Sequence, residues 1–213
     1  MNARPKNADR LQQWEIALLL GVAVFLLTGA VSLRTQDALA DKVVRLHVLA
    51  HSDSEEDQAL KLLVRDCVLD RAEAVLADVK DRESAEMLLR GKLPEFERAA
   101  TEVIRENGYG YPVYVELADT EFPTKEYDGF TLPAGEYLAL RVVIGEGAGQ
   151  NWWCVVFPPV CMTAGADVSI SALSVSLDGE EIRLVTEESG GYVLKFKAVE
   201  LWERLRQTWD QRK

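Results

Sequence analysis

Histidine, cysteine and carboxylate side chains are the groups in this chain that could perform catalysis or bind a metal. The only two histidines are His47 and His51. On an extended strand they would lie about 13 Å apart, too far to share one metal ion. If the chain turns at Ser52 the two rings could approach, with Asp53 as a third ligand. A strand residue followed by a residue just before a helix is the simpler interpretation, so we predict no metal site and no cofactor.

A thiol nucleophile is the second chemistry that these residue types allow. Cys154 could pair with His47, since the partners in such enzymes are often distant in sequence. Glu136 and Glu146 lie near glycines and aromatic residues, but neither has a partner acid at a defined spacing. The chain contains no G-x-S-x-G and no H-E-x-x-H motif. We therefore predict no catalytic set, and an exported thiol- or carboxylate-dependent hydrolase is the alternative.

The glycine-rich stretch GEGAG, residues 145–149, superficially resembles a phosphate-binding loop. It lacks the lysine of that motif, and WWCVVF follows it rather than the start of a helix. Glu146, between Gly145 and Gly147, would also repel a phosphate group. We predict a wide turn between two strands, and no small-molecule substrate.

Two adjacent tryptophans follow the glycine-rich stretch and suggest a partner-binding surface. In an extended segment Trp152 and Trp153 point to opposite faces, so at most one of them can face a single core. The other is a candidate for a second packed layer or for contact with a partner, where tryptophan is over-represented. A strand corner with one aromatic residue covering the core is the alternative.

Three cysteines allow one disulfide and one free thiol. Cys154 and Cys161 are the candidate pair, because they would close a short loop around two prolines. Cys67 falls on the apolar stripe of a predicted helix and is interpreted as a small core residue. The sequence does not establish whether the two Cα atoms come within bonding reach.

Alternating and helical patterns predict an α+β fold, with a mostly antiparallel sheet covered by helices on one face. A strand over residues 43–50 precedes a helix that ends near Ala77, with Leu63 on its buried stripe. Its capping residue is either Ser54, followed by Asp57, or Ser52, followed by Glu55. Pro94 is expected to divide the following helical region, residues 82–107, into two helices. Further strands are predicted at 112–117, 137–144 and 153–157, and residues 122–127 are extended or looped. Residues 162–213 are predicted to form a hairpin, with strands at 173–177 and 181–185, and an amphipathic helix at 197–209.

The N-terminus has the pattern of an export signal or membrane anchor. Residues 16–33 contain no charged side chain over 18 positions, and as a helix they would be about 27 Å long, close to the hydrocarbon thickness of a bilayer. A basic flank, residues 1–15, precedes them and predicts a cytoplasmic start. The linker, residues 34–42, contains an A-x-A pattern before Asp41 where signal peptidase could cut. Cleavage and retention as a transmembrane anchor both remain open.

The charge of the exported part is strongly acidic. The whole chain carries a net charge of −11, and residues 1–40 contain four basic and three acidic side chains, which leaves −12 on the remaining 173 residues. Such a body is not expected to bind nucleic acid or to adhere to anionic lipid.

Four segments carry a resemblance to a known family. They read VVRLHVLAHSDSEEDQALKLLVRD (43–66), FPTKEY (122–127), LPAGEYLALRVVIGEG (132–147) and NWWCVVFPPVC (151–161). In combination they resemble the stage II sporulation protein R family of endospore-forming bacteria over roughly residues 43–161. One departure is His51, where the family commonly has asparagine.

The resemblance implies an exported signalling protein that is not itself an enzyme. Members are made in the forespore and act in the space between forespore and mother cell. There they activate a membrane-embedded aspartic peptidase, which removes the pro-sequence of sigma-E. A structural envelope protein, with the acidic body as a spacer, is a further alternative. The predicted partner-binding residues are Asp53, Lys125, Glu136, Arg141, Gly145, Glu146, Gly147, Asn151, Trp152 and Trp153.

Overall fold

The computed structural model describes residues 16, 18–22, 38–127, 130–160, 177, 182 and 185–186. The chain divides into two compact units, Met1–Ala38 and Leu39–Lys213. In the first unit, residues 16 and 18–22 are helical, and the rest of the predicted signal segment lies outside the described residues. Among the residues described, no helix is both long enough and apolar enough to cross a membrane. The export segment therefore stays a prediction.

In its described part, the second unit contains two long helices and six strands, besides helical residues at 39–40, 182 and 185–186. The helices are α1 (Glu55–Leu76) and α2 (Arg82–Glu106). The strands are β1 (Val44–Leu49), β2 (Val113–Phe122), β3 (Lys125–Tyr127), β4 (Phe130–Leu132), β5 (Gly135–Ile144) and β6 (Asn151–Phe157).

Four of these strands form the main sheet, in the order β2-β5-β1-β6. The β2–β5 and β1–β6 pairs are antiparallel, whereas β1 and β5 are parallel. β3 and β4 form a separate antiparallel pair. The predicted α+β class with a mostly antiparallel sheet is confirmed. The sequence did not predict that the two central strands run in parallel.

The sheet has an apolar layer on each face because both sets of alternating side chains are largely buried. On the helix face, β-strand residues such as Leu46, Leu140 and Val156 pack against α1 and α2. On the opposite face, which we call the second face, a smaller cluster includes Phe122, Tyr137 and Val155. Its other members are Leu39, Val43, Phe130, Leu132, Ala139, Val160, Leu177 and Val185.

Helix α1 begins where the sequence predicts. Ser54 is the N-cap, and its hydroxyl accepts the Asp57 backbone N–H at 3.2 Å. The first turn contains three acidic residues, which suit the positive end of the helix dipole. The buried stripe differs in one position: Leu63 is 45 % exposed, so its predicted burial is wrong.

Helix α2 is continuous through Pro94, which corrects the predicted break. Proline removes one backbone donor, but Leu89 before it and Phe96 after it are both buried in the same core. Their burial favours one helix over two, because tertiary packing can outweigh a local helix-breaking preference.

The C-terminal region is described only at a few positions, and these correct part of the predicted hairpin. Ile182, Val185 and Thr186 are helical, where a strand was predicted at 181–185. The Thr186 hydroxyl donates to the Ile182 carbonyl oxygen at 2.6 Å, a helical i to i−4 spacing. The predicted Asp178–Gly179 turn and the amphipathic helix at 197–209 lie outside the described residues.

Candidate functional site

The loops that follow β1 and β5 meet at one edge of the sheet, because parallel strands end on the same side. The Ala148 N–H donates to the His51 carbonyl oxygen at 3.2 Å, and the Gly149 N–H donates to the Ala50 carbonyl oxygen at 3.0 Å. The Gln150 N–H donates to the Asp53 carboxylate at 2.7 Å. The glycine-rich loop is thus bonded to the start of α1, and we call the two segments, residues 50–54 and 145–150, the paired loops.

His51 positions the first half of the glycine-rich loop. Its Nδ1 accepts the Glu146 backbone N–H at 3.1 Å, and its ring stacks on Tyr111 at 4.2 Å between centroids. Gly145 has a φ of 58°, and a Cβ there would overlap the His51 ring. His51 is therefore a structural residue of the paired loops.

Lys61 is a buried cation that fixes the other end of the same loop. The side chain is 4 % exposed, and its ammonium donates to the Gln150 carbonyl oxygen at 2.9 Å and to Gln58 Oε1 at 2.6 Å. Gln58 in turn donates to the Ser52 carbonyl oxygen at 2.8 Å. Burial lowers the pKa of Lys61. Sequence reasoning missed this residue, although DQALK belongs to the most specific part of the resemblance.

The two tryptophans lie on opposite faces of β6, as the strand alternation predicts. Trp152 is opposite Val48 and Trp153 is opposite His47 in the β1–β6 register. Trp152 is 36 % exposed, and the Arg65 guanidinium carbon lies 4.3 Å from its ring centroid. Arg65 Nε donates to Asp66 Oδ1 at 2.7 Å, and its Nη2 forms an ion pair with the same oxygen at 2.6 Å. Trp152 therefore presents a fixed aromatic surface at the edge of the sheet.

Trp153 belongs to an aromatic cluster on the second face. Its ring stacks on His47 at 3.8 Å between centroids and meets the Phe122 ring edge-on at 4.6 Å. Since Trp153 is only partly exposed and contacts rings on two other strands, we assign it a structural role.

Arg45 lies beneath the same cluster and is fully buried. Its guanidinium carbon is 3.9 Å from the Phe122 ring centroid and 4.8 Å from that of Tyr137. Nη2 donates to the Tyr127 hydroxyl at 2.6 Å. Within the described residues, Nε and Nη1 have no hydrogen-bond partner. The aromatic faces thus supply much of the electrostatic stabilisation of this cation.

The predicted partner-binding residues fall into separate groups. The paired loops and the start of β6 bring together Asp53, Gly145, Glu146, Gly147 and Asn151. Lys125 lies on β3, and Glu136 lies near the start of β5. Ile144, at the end of β5 beside the glycine-rich loop, is about 26 Å from Glu136, so Glu136 does not belong to the group at the paired loops.

Arg141, predicted to bind a partner, forms an ion pair across the sheet. Its Nη1 lies 2.8 Å from Glu116 Oε1, and these residues are opposite each other on β5 and β2. The register of the β2–β5 pair decided this contact.

Comparison with known proteins identifies the family. The Stage II sporulation protein R family matches residues 40–167, which is more than half of the chain. The chain belongs to the stage II sporulation protein R family.

The relationship to one curated member is close over part of its length. The chain is 41 % identical over 123 residues to the stage II sporulation protein R of Bacillus subtilis (strain 168). The matched region is 58 % of this chain and 55 % of that protein, so the match spans about half the length of the relative. No solved structure matches the chain. Membership in the stage II sporulation protein R family gives the chain a role in sporulation.

The paired loops, β1, β5 and β6 all lie inside the part of the chain that matches stage II sporulation protein R. Two segments of the resemblance that are far apart in sequence, around residues 52–61 and 145–153, are joined here by direct hydrogen bonds.

The geometry does not favour the thiol alternative. Leu46 is opposite Cys154 and His47 is opposite Trp153, so the cysteine and the histidine point to different faces of the sheet. Cys154 is disulfide-bonded, whereas Cys67 is a free, half-buried thiol. Cys161 lies outside the described residues, so its pairing with Cys154 stays a prediction. Within the part of the chain that the structure describes, no group of His, Cys, Asp and Glu is placed to hold a metal ion.

The lowered pKa of His47 predicts that the stability of the domain depends on pH. Burial lowers its pKa from 6.5 to about 4, and the charges of Arg141 and Arg45 act in the same direction, against a hydrogen bond to Asn151. Because the unfolded chain binds the proton first, stability is complete above pH 6.5 and is lost as the pH falls toward 4. The expected loss is on the order of 3 kcal/mol.

Urea denaturation between pH 4 and pH 7 measures this loss. A matched His47→Phe variant keeps an aromatic ring against Trp153 but cannot titrate, so its stability should fall less over the same range. Parallel pH profiles for the two proteins would show that other groups cause the acid instability.

Proposed function

We propose that this chain is an exported sporulation signal that activates the membrane-embedded aspartic peptidase responsible for removing the pro-sequence of sigma-E. It acts in the space between forespore and mother cell, and its N-terminal segment carries it across the forespore membrane or anchors it there. It binds the peptidase and performs no chemistry of its own. The family membership and an exposed, immobilised tryptophan beside the paired loops support this proposal.

The exposure and contacts of Trp152 are the main evidence for a binding role. Tryptophan and arginine are the residues that most often dominate the binding energy of protein interfaces. Here the Arg65 guanidinium covers the Trp152 ring, and Asp66 fixes the arginine. These contacts restrict the Trp152 and Arg65 side chains before binding, which reduces the conformational entropy lost when a partner binds.

The paired loops give this surface a fixed shape. Backbone and side-chain bonds from Ala50, His51, Asp53 and Lys61 hold the loop between β5 and β6. Glu146 and Gln150 are exposed on that loop. They can therefore contact a partner together with Trp152.

Co-expression of the peptidase and pro-sigma-E in a non-sporulating host tests the proposal. We expect pro-sequence removal, measured by gel shift, only when this chain is also expressed and exported. Absence of processing with all three proteins present would contradict the activating function.

Trp152→Ala should reduce processing about tenfold or more in this assay, which corresponds to roughly 1.4 kcal/mol or more of lost binding. Its thermal stability should change little, because the ring is partly exposed. Met87→Ala is the matched control, since Met87 is a 69 % exposed apolar residue on α2. Equal processing by the Trp152 and Met87 variants would contradict the role of Trp152.

A further inference from the structure

The second face of the sheet is only half covered. In the strand registers, one row across the sheet consists of Tyr114, Val143, Leu49 and Asn151. The next row consists of Glu116, Arg141, His47 and Trp153. We call these two rows the open half of the second face.

Most side chains in the open half are more exposed to solvent than those in the next row of the second face. Tyr114 is 57 % exposed and Asn151 is also exposed, while Leu49, Val143 and Trp153 are partly exposed. In the following row, Ala139, Arg45 and Val155 are each fully buried. Tyr114, Val143, Leu49 and Trp153 thus form a partly exposed apolar strip beside the polar residues Glu116, Arg141 and Asn151. His47, which stacks on Trp153, is 5 % exposed.

The chain after β6 already lies on this side of the sheet. Leu177 and Val185 are buried in the cluster that covers the second face, and Ile182 packs against it. The last described residue, Thr186, is therefore followed by 27 residues that start beside the covered half.

Residues 197–209 have the pattern of an amphipathic helix, whose apolar side packs against an apolar surface. With helical spacing, the apolar residues at 197–209 fall on one side: Val199, Leu201, Trp202, Leu205 and Trp209. An amphipathic helix of this kind is stable mainly when its apolar side is covered.

The charges of the C-terminal segment and of the rest of the domain also favour contact between the two. Residues 197–213 contain five basic and three acidic side chains, a net charge of +2. Residues 41–196 contain 15 basic and 29 acidic side chains, a net charge of −14. A basic segment on an acidic body gains electrostatic attraction at the edges of the contact.

We propose that residues 197–209 bind as an amphipathic helix across the open half of the second face of their own domain. Thirteen helical residues are about 20 Å long, and four strands are about 14 Å across between their outer axes, so the helix can span the sheet. The 11 residues between Val185 and Lys197 can extend to more than 30 Å, which is ample for this connection.

Cross-linking in the full chain tests the proposal without using the peptidase. Tyr114→Cys is combined with Leu205→Cys in a Cys67→Ser background. No reductant is used, so that Cys154 stays disulfide-bonded. A short bismaleimide is then added at low protein concentration. We expect an intramolecular cross-link that forms at least fivefold faster than in the Met87→Cys and Leu205→Cys control. Equal rates in the two proteins would overturn the proposal.

A labelling experiment supplies the second test. The maleimide labelling rate of Tyr114→Cys should rise severalfold when Leu205→Asp or Trp202→Asp is added in the Cys67→Ser background. An unchanged rate would mean that the open half is free and available to another protein. Cross-links only between two chains would assign this surface to a second copy instead, which also overturns the proposal.

Discussion

Replacing Trp153 by alanine is expected to lower the free energy of unfolding by about 3 kcal/mol, one of the largest effects of a single substitution in this domain. The ring contacts His47 at 3.8 Å and Phe122 at 4.6 Å, and each aromatic pair contributes about 0.5–1.5 kcal/mol beyond its buried area. Phe122 also covers the buried Arg45, so loss of Trp153 loosens the support of that cation.

The matched comparison is with Trp152→Ala, which changes the neighbouring residue on the other face. Trp152 loses mainly its contact with Arg65, and we expect less than about 1 kcal/mol of destabilisation. Urea denaturation of both variants at pH 7 measures the difference. If the two substitutions cost the same stability, the division into a structural and a partner-binding tryptophan is wrong.

Gly149→Ala is expected to lower the free energy of unfolding by about 2–4 kcal/mol, because the new methyl group has no space. A Cβ at this position would overlap the Ser52 carbonyl oxygen and lie 3.0 Å from the Ala50 Cβ. Both neighbours belong to the paired loops, where the Gly149 N–H is bonded to the Ala50 carbonyl oxygen. The backbone must therefore move, and the two loops separate.

Gly91→Ala supplies the control for this substitution. Gly91 lies inside α2, and a Cβ there would meet nothing within 4 Å. Alanine should stabilise the helix by about 0.5–1 kcal/mol, the opposite sign to Gly149→Ala. Thermal and urea denaturation of both variants measure these changes. Wild-type stability for Gly149→Ala would show that the paired loops can move apart at little cost.

The sequence was sufficient for the features that depend on near neighbours. The start of α1 within residues 52–54 and the opposite orientations of Trp152 and Trp153 follow from contacts within a few residues, and the structure selects Ser54 as the N-cap. The strands β1, β5 and β6 were predicted from alternation and apolar content with small errors at their ends. The motifs themselves also sufficed to identify the family.

The candidate site was only partly predictable, because its contacts join distant segments. The sequence marked Asp53, Gly145 and Asn151 but gave no sign that Lys61 would be buried against Gln150. It also grouped Lys125 and Glu136 with the loop residues, although they lie at the other end of β5. A motif indicates which residues are typical of a family, but it does not indicate which part of the sheet each residue contacts.

Capping, strand alternation, the acidic charge and the family were thus determined by the sequence itself, since each depends on composition or on residues close along the chain. Only the tertiary structure decided that β1 pairs in parallel with β5, that Glu116 is the partner of Arg141, and that α2 continues through Pro94. The physical reason is that strand register and burial arise from the packing of the whole domain. Packing selects among local preferences that are individually worth about 1 kcal/mol or less.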